Sequence, residues 1–263
     1  GMAHDAPLVS AAFSADGRKL ATASRDGVTY VRDATQGRAL TPPMLHRGKV
    51  NSVRFSQDGA RLITASDDRT AVIWDAASGG RVATLRHEGE VWYAQFSPNG
   101  DRVATASLDY TTKIWSTDGA LISEVRHGAP IEFLEFSPDG TKVATASGDR
   151  TARLWNAATG HPLTEPLRHA ELVTCVRFSP DGLRVITASK DGTAQVWDAA
   201  TGLKLGDPLR HDAWVISARF GPDGRQAITA SLDGTSGIWD VPVAGLPIPP
   251  GLPEQAESAA RGW

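Results

Sequence analysis

A phenylalanine follows six of the seven histidines at one fixed distance of nine residues. The pairs are His4 and Phe13, His46 and Phe55, His87 and Phe96, His127 and Phe136, His169 and Phe178, and His211 and Phe220. This spacing, with a period of about 41 residues, indicates one small unit copied six times. Such a unit cannot bury its apolar face alone, so the copies are predicted to pack against one another. Function is then expected where the copies differ.

Three more side chains keep fixed distances from each phenylalanine. A threonine stands nine residues after it, at Thr22, Thr64, Thr105, Thr145, Thr187 and Thr229. An aspartate stands thirteen residues after it, at Asp26, Asp68, Asp109, Asp149, Asp191 and Asp233. A tryptophan stands nineteen residues after it in five copies, at Trp74, Trp115, Trp155, Trp197 and Trp239, and Arg32 takes that place in the first copy. Length varies only between the tryptophan position and the next histidine, which indicates a rigid block followed by a variable outer segment.

The segments between these anchors are predicted to be β strands. A short strand such as 50–55 is followed by a turn of the Ser-Pro-Asp-Gly type, in which proline and glycine favour the required backbone angles. A second strand, a tight turn containing the aspartate, a third strand and a short fourth segment complete the unit. Three of the first five fourth segments contain proline, which cannot donate to a strand pair and therefore indicates an outer edge. Four antiparallel strands with such an edge, repeated in series, are typical of propeller blades.

These residues resemble the WD-repeat (WD40) family. The Trp-Asp ending stands at Trp74-Asp75, Trp197-Asp198 and Trp239-Asp240, and is altered to Trp115-Ser116, Trp155-Asn156 and Arg32-Asp33 in the other copies. The family's Gly-His pair is absent, since arginine precedes the histidine in four copies. The resemblance covers about residues 3 to 240, and the repeats are similar to prokaryotic members. It implies an all-β WD40 β-propeller with six four-stranded antiparallel blades around a central channel.

The resemblance also implies one buried hydrogen-bonded chain inside each blade. The aspartate would accept from the histidine, the histidine would hold the threonine hydroxyl, and the threonine would meet the indole N–H. The residues assigned this structural role are His46, Thr64, Asp68 and Trp74; His87, Thr105, Asp109 and Trp115; His127, Thr145, Asp149 and Trp155; His169, Thr187, Asp191 and Trp197; and His211, Thr229, Asp233 and Trp239. Blade 1 lacks its tryptophan, so we expect its network to be broken and Arg32 to reach solvent.

Catalysis by these residues is not expected, because an enzyme needs one constellation and the chain carries six near-identical ones. No cofactor or metal is expected either, since no paired cysteines or histidines stand at ligand spacing. A net charge of −3 gives no basic field for nucleic acid, and no apolar run is long enough to cross a membrane. The single Cys175 fits core packing, and a cytoplasmic location is expected.

The predicted domain organisation is a single propeller over 1–253 with a C-terminal tail over 254–263. The repeats run at about 4–45, 46–86, 87–126, 127–168, 169–210 and 211–252. The proline-rich segment 246–252 is a candidate for the sixth outer strand. Because no strand precedes His4 that could complete the last blade, three forms of closure stay open: six blades that abut, a larger ring of which this chain is part, or a blade supplied by another chain. A six-bladed ring is favoured.

Candidate binding residues are those that differ between copies at one end of the blades. Three positions in each blade point there: three and five residues after the histidine, and one residue before the aspartate. The predicted partner-binding residues are Trp214, Trp92, Leu232, Leu108, Tyr110, Ile216 and Leu172. Exposed aromatic and aliphatic residues of this kind form interaction hot spots. The alternative is that each tryptophan leans into its own blade as core.

The sequence therefore predicts a non-catalytic scaffold that binds a protein or peptide at the channel mouth. The alternative is a structural module, either self-assembling into a homo-oligomer or part of a larger propeller in a multidomain signalling protein. In both cases the partner is a protein, with no role predicted for nucleic acid or membrane.

Overall fold

The computed structural model describes residues 4–242, which form 23 β strands. Blade 1 contains β1 (Leu8–Phe13), β2 (Lys19–Ser24), β3 (Val28–Asp33) and β4 (Met44–Leu45). Blade 2 contains β5 (Val50–Phe55), β6 (Arg61–Ser66), β7 (Thr70–Asp75) and β8 (Arg81–Arg86). Blade 3 contains β9 (Val91–Phe96), β10 (Arg102–Ser107), β11 (Thr111–Ser116) and β12 (Leu121–Arg126). Blade 4 contains β13 (Ile131–Phe136), β14 (Lys142–Ser147), β15 (Thr151–Asn156) and β16 (Leu167–Arg168). Blade 5 contains β17 (Val173–Phe178), β18 (Arg184–Ser189), β19 (Thr193–Asp198) and β20 (Lys204–Arg210). Blade 6 contains β21 (Val215–Phe220), β22 (Gln226–Ser231) and β23 (Ser236–Asp240).

Each blade is one antiparallel sheet in which strands pair in chain order. The first strands of successive blades contact one another, as β1 does β5 and β17 does β21, which places them at the centre of the molecule. Within the described residues the sixth sheet has three strands. The predicted sixth outer strand over 246–252 and the tail over 254–263 lie outside the described residues.

In four blades the first hairpin is closed by a serine, an aspartate and a glycine, while Asn99 replaces the aspartate in blade 3 and Gly221 replaces the serine in blade 6. In blade 2 the Ser56 hydroxyl donates to Asp58 Oδ1 at 2.6 Å and accepts from the Arg61 N–H at 2.9 Å. Gly59 adopts a positive φ of 66°, a conformation that glycine enters without steric cost. These local bonds set the register of the hairpin, in which Phe55 pairs with Leu62.

The core lies between blades rather than within one. We call the trailing face of a blade the side formed by the residues eight and eighteen positions after its phenylalanine. We call the leading face the side formed by the phenylalanine and the residue five positions before it. Between blades 2 and 3, Ile63 and Ile73 of the trailing face pack with Val91 and Phe96 of the leading face. Sheets joined in this way depend on their neighbours for burial.

The two terminal faces of the series are uncovered. Leu8 and Phe13 on the leading face of blade 1 are 52% and 63% exposed, and Ile228 and Ile238 on the trailing face of blade 6 are 44% and 72% exposed. Blades 1 and 6 therefore do not bury these faces against each other, unlike the expected six-bladed ring in which they abut. The physical reason is that the five interfaces between consecutive blades, which fix the angle from each sheet to the next, do not bring blade 6 onto blade 1.

Candidate functional site

The histidine, threonine, aspartate and tryptophan of a blade form one continuous hydrogen-bonded chain. In blade 4, His127 Nδ1 lies 2.9 Å from Asp149 Oδ2, His127 Nε2 lies 2.7 Å from Thr145 Oγ1, and the Trp155 indole N–H donates to the same hydroxyl at 2.8 Å. Blades 2, 3, 5 and 6 repeat the threonine contacts to within 0.1 Å, with histidine–aspartate distances of 2.9, 3.0, 2.9 and 3.2 Å. A buried polar network satisfied in this way makes a thin sheet rigid.

The aspartates in these chains are held in the ionised form. Burial alone raises the pKa of Asp149, but hydrogen bonds from His127, Thr151 and the Gly128 N–H outweigh it and keep that pKa well below its ordinary value. The pKa values of Asp68, Asp109 and Asp191 are lowered by the same opposition of causes. Each carboxylate is thus saturated by donors of its own blade, which leaves it little capacity to act on a substrate.

Blade 1 departs from this arrangement. His4 Nε2 lies 2.8 Å from Thr22 Oγ1, but His4 Nδ1 contacts the Ser24 hydroxyl at 3.0 Å instead of an aspartate. The network is interrupted as expected, but the expectation that Arg32 reaches solvent is wrong. Arg32 is buried, with its guanidinium 4.7 Å from the ring centre of Tyr30. The ring offers a cation a favourable π face, so the long side chain fills the tryptophan's place.

The candidate binding positions are joined in pairs by the backbone. The residue before each turn aspartate donates its N–H to the carbonyl of the residue three after the histidine. The six bonds, of 2.9 to 3.0 Å, run from Arg25 to Pro7, Asp67 to Lys49, Leu108 to Glu90, Gly148 to Pro130, Lys190 to Leu172 and Leu232 to Trp214. Two of the three sequence-selected sets therefore lie side by side in every blade, at the end of the sheet where the first strand begins.

Trp214 and Leu232 are exposed apolar residues at this end of blade 6. We call these two residues, with Lys190, the blade 6 patch. The Trp214 side chain is 46% exposed, and the Lys190 ammonium from blade 5 lies 4.1 Å above its ring. Trp214 is not a core residue of its own blade. An exposed tryptophan with a cation over its face presents a large, rigid contact area bordered by charge.

Trp92, Leu108 and Tyr110 form a second exposed group, the blade 3 patch. Trp92 is 37% exposed, and its indole N–H donates to the Ile131 carbonyl of blade 4 at 2.7 Å. Trp92 therefore leans across to the next blade rather than into its own. Tyr110 is exposed and adopts a positive φ of 70°, which is unfavourable for a bulky residue. The turn, closed by a bond of 3.2 Å from the Tyr110 N–H to the Ser107 carbonyl, places Tyr110 at this end of the blade.

The two remaining candidates, Leu172 and Ile216, belong to neither patch. Leu172 is half-buried, and its Cδ1 atom approaches the Cβ position of Gly148 in blade 4. Ile216 is exposed at the position where Asn51, Trp92 and Thr174 each donate a side-chain hydrogen bond to the following blade. Ile216 is thus exposed in part because no following blade covers this side of blade 6. Glu132, at the same position in blade 4, has a pKa raised by burial and opposed by Lys190.

The sequence did not predict one ion pair, which joins blades 4 and 5. Glu135 in blade 4 accepts from Arg177 at 2.8 Å and from the Phe178 N–H at 2.7 Å, so a single carboxylate joins blades 4 and 5. Burial raises the pKa of Glu135, and the Arg177 guanidinium opposes that shift. The signal in the sequence was an acid and a base at the same repeat position of consecutive copies.

Among residues 4–242 no group of three or more metal-ligating side chains is assembled, and no helix has the length and apolar character needed to cross a membrane.

Six antiparallel sheets packed face to face with their first strands at the centre define a β-propeller. The family model for the WD domain, G-beta repeat, matches residues 2–33, 44–75, 79–116, 120–156, 160–198 and 206–240. The chain belongs to this WD-repeat family, and both the predicted family and the predicted all-β propeller class are confirmed. Propellers built from these repeats are generally non-catalytic and commonly mediate protein interactions.

Comparison with curated proteins gave no match. Among solved structures, the chain is similar to the computationally designed Ika8 protein, known from a crystal structure. The two are 25% identical, with a TM-score of 0.81, and the match covers 90% of this chain and 72% of the designed one. This likeness concerns the fold.

Proposed function

We propose that the protein is a non-catalytic scaffold that binds a protein or peptide at the end of the blades where the first strands begin. The single observation that supports this is the blade 6 patch. Trp214 and Leu232 are large apolar side chains exposed side by side, and they are joined through a backbone hydrogen bond of 2.9 Å. Residues of this kind dominate protein interfaces when a partner desolvates them.

The charge around the patch indicates the kind of partner. Lys190 covers one face of the Trp214 ring, and its charge also opposes the rise that burial causes in the pKa of Glu132 in blade 4. An interface with an apolar centre and charges of both signs at its border favours a specific protein contact over non-specific binding to a polyanion. The rigid blade networks suit a partner that docks with little movement of the scaffold.

The experiment is a comparison of captured partners between the protein and its Trp214→Ala variant, by affinity purification with mass spectrometry. A binding role predicts that specific partners are lost from the variant while its melting temperature is unchanged within about 2 °C. A matched control is Leu203→Ala, which removes another exposed apolar side chain from a turn at the other end of blade 5. Equal recovery of the same partners with both variants would contradict the proposal.

Trp92→Ala provides a second test, with a different expectation for stability. The indole N–H of Trp92 bonds the Ile131 carbonyl, so its removal is expected to lower stability by about 1 kcal/mol as well as to weaken binding. Trp92→Phe keeps the ring and loses only the hydrogen bond. If binding survives in Trp92→Phe and fails in Trp92→Ala, the ring itself contacts the partner.

A second candidate function is that of a structural module within a larger or oligomeric propeller. The observation that favours it is the exposure of the two terminal blade faces, described above. Light scattering over a range of concentrations tests the oligomeric form. A mass that rises with concentration supports self-assembly, and a constant monomer mass contradicts it.

A further inference from the structure

The terminal faces carry the same side chains as the buried interfaces. On the trailing faces, the residue eight after the phenylalanine is fully buried in blades 1 to 5, as Ala21, Ile63, Ala104, Ala144 and Ile186. The residue eighteen after it is buried there too, as Val31, Ile73, Ile114, Leu154 and Val196. In blade 6 the equivalent Ile228 and Ile238 are exposed. Blade 6 is thus built to be covered by another leading face.

The leading face of blade 1 shows the converse. The residue five before the phenylalanine has no exposed surface in blades 2 to 6, where it is Val50, Val91, Ile131, Val173 and Val215. Its equivalent in blade 1, Leu8, is 52% exposed, and the neighbouring Phe13 is 63% exposed. A valine-like side chain and a phenylalanine at these positions fit a trailing face, because that is what they contact in the other blades.

Hydrogen bonds from one blade to the next also distinguish blade 6 from other blades. The first residue of a second strand reaches the next blade in three cases: Lys19 Nζ donates to the Gly59 carbonyl at 3.1 Å, Arg61 to the Thr117 carbonyl at 3.1 Å, and Arg184 to the Pro242 carbonyl. In blade 6 this position is Gln226, which donates to Asp240 of its own blade at 3.1 Å. In these three blades the side chain bonds the following blade, whereas Gln226 bonds its own blade.

The designed Ika8 protein, a longer chain with a similar fold, provides a comparison of length. The match takes 90% of this chain, about 237 residues, and leaves 28% of the designed chain unmatched. That remainder amounts to about 90 residues, the length of about two repeats of 41 residues. A second copy of this chain brings six blades and exceeds that length, so it is the poorer occupant.

We propose that a segment of two further WD-type blades completes this propeller, sealing the trailing face of blade 6 and the leading face of blade 1. Its first blade presents apolar residues to Ile228 and Ile238, and its second presents a trailing face to Leu8 and Phe13. This inference deepens the second candidate function and rests on it, while the binding proposal for Trp214 is tested separately by partner capture.

The test supplies two blades from the chain itself. Residues 87–168 contain blades 3 and 4 and end where the next unit begins with its histidine, so they are placed in register directly before His4. Closure is read from a thiol introduced by Ile238→Cys, which labels readily with a maleimide while the face is exposed. In the eight-blade chain the labelling rate of this thiol is expected to fall at least tenfold, with a higher melting temperature. The natural Cys175 is buried and contributes little background.

Matched controls keep the result specific. Leu203→Cys introduces a thiol at an exposed turn away from both faces, and its labelling is expected to stay unchanged. Chains extended by one blade (87–126) or three blades (87–210) test the number. Maximal protection with one or three blades, or equal labelling of the Ile238→Cys thiol in the six-blade and eight-blade chains, overturns the proposal. Protection that grows with concentration in the six-blade chain also overturns it, in favour of a second copy.

Discussion

Replacing Thr145 by valine removes the central hydroxyl of the blade 4 network and keeps the side-chain shape. Thr145 has no exposed surface, and its hydroxyl contacts His127 Nε2 at 2.7 Å and the Trp155 N–H at 2.8 Å. Both partners are themselves almost fully buried. A buried polar group left without a partner costs about 1–3 kcal/mol, so the substitution, which leaves two such groups, is expected to cost about 2–6 kcal/mol. At about 2–4 °C per kcal/mol for a chain of this size, that lowers the melting temperature by roughly 4–24 °C.

Blade 1 supplies the matched control. Thr22 contacts His4 at 2.8 Å but has Arg32 in place of a tryptophan, so Thr22→Val leaves one polar partner unsatisfied instead of two. The two variants are expected to differ by about 1–3 kcal/mol, the share of the indole N–H. Thermal and guanidinium unfolding followed by calorimetry and circular dichroism measure both. An equal loss in the two variants would refute the reasoning that the tryptophan link stabilises the blade.

Two further predictions concern pH and a turn. Because hydrogen bonds hold the pKa of Asp149 and its equivalents below the unfolded value of 3.8, the unfolded chain takes up protons first. The stability they give is fully present above about pH 5 and is lost progressively as pH falls through 3.8. Glu135, whose pKa is raised, opposes this trend, and a melting temperature that stays constant from pH 7 to 3 would contradict it. Gly27 in blade 1 and Gly234 in blade 6 occupy equivalent turns, with φ of 88° and 85°. A Cβ atom added at Gly27 would lie 2.7 Å from the His46 carbonyl oxygen, whereas a Cβ atom added at Gly234 would have no described atom within 4 Å. Gly27→Ala is therefore expected to lower stability by about 1 kcal/mol more than Gly234→Ala in guanidinium unfolding, and equal losses would show that φ alone governs the turn.

The blade networks could be predicted because the recurring residues resemble those of the WD-repeat family, whose fold implies that they bond one another. Each histidine lies 18 residues from its threonine and 22 from its aspartate, within a single unit whose length does not vary. The constant spacing identified the residues, and the resemblance implied their contacts. The same holds for the hairpin turns, where serine, aspartate and glycine meet within five residues.

The contacts between blades were harder to predict. The Trp92 bond to Ile131 joins residues 39 apart, and the Glu135 bond to Arg177 joins residues 42 apart. Both cross a length-variable connection, so sequence spacing does not fix them. The burial of Arg32 was missed for a different reason: one of its contacts is with the Tyr30 ring on the same strand, and no repeat position predicts a cation over an aromatic face.

The sequence by itself determined the unit: its strands, its turns, the recurrence of its polar residues and the number of copies in this chain. Only the tertiary structure decided that six copies leave an apolar face uncovered at each end, at Leu8 and Phe13 and at Ile228 and Ile238. The physical reason is that the angle between blades arises from side-chain packing across five interfaces. A small rotation at each interface adds up around the centre, and no periodicity in the sequence records that sum.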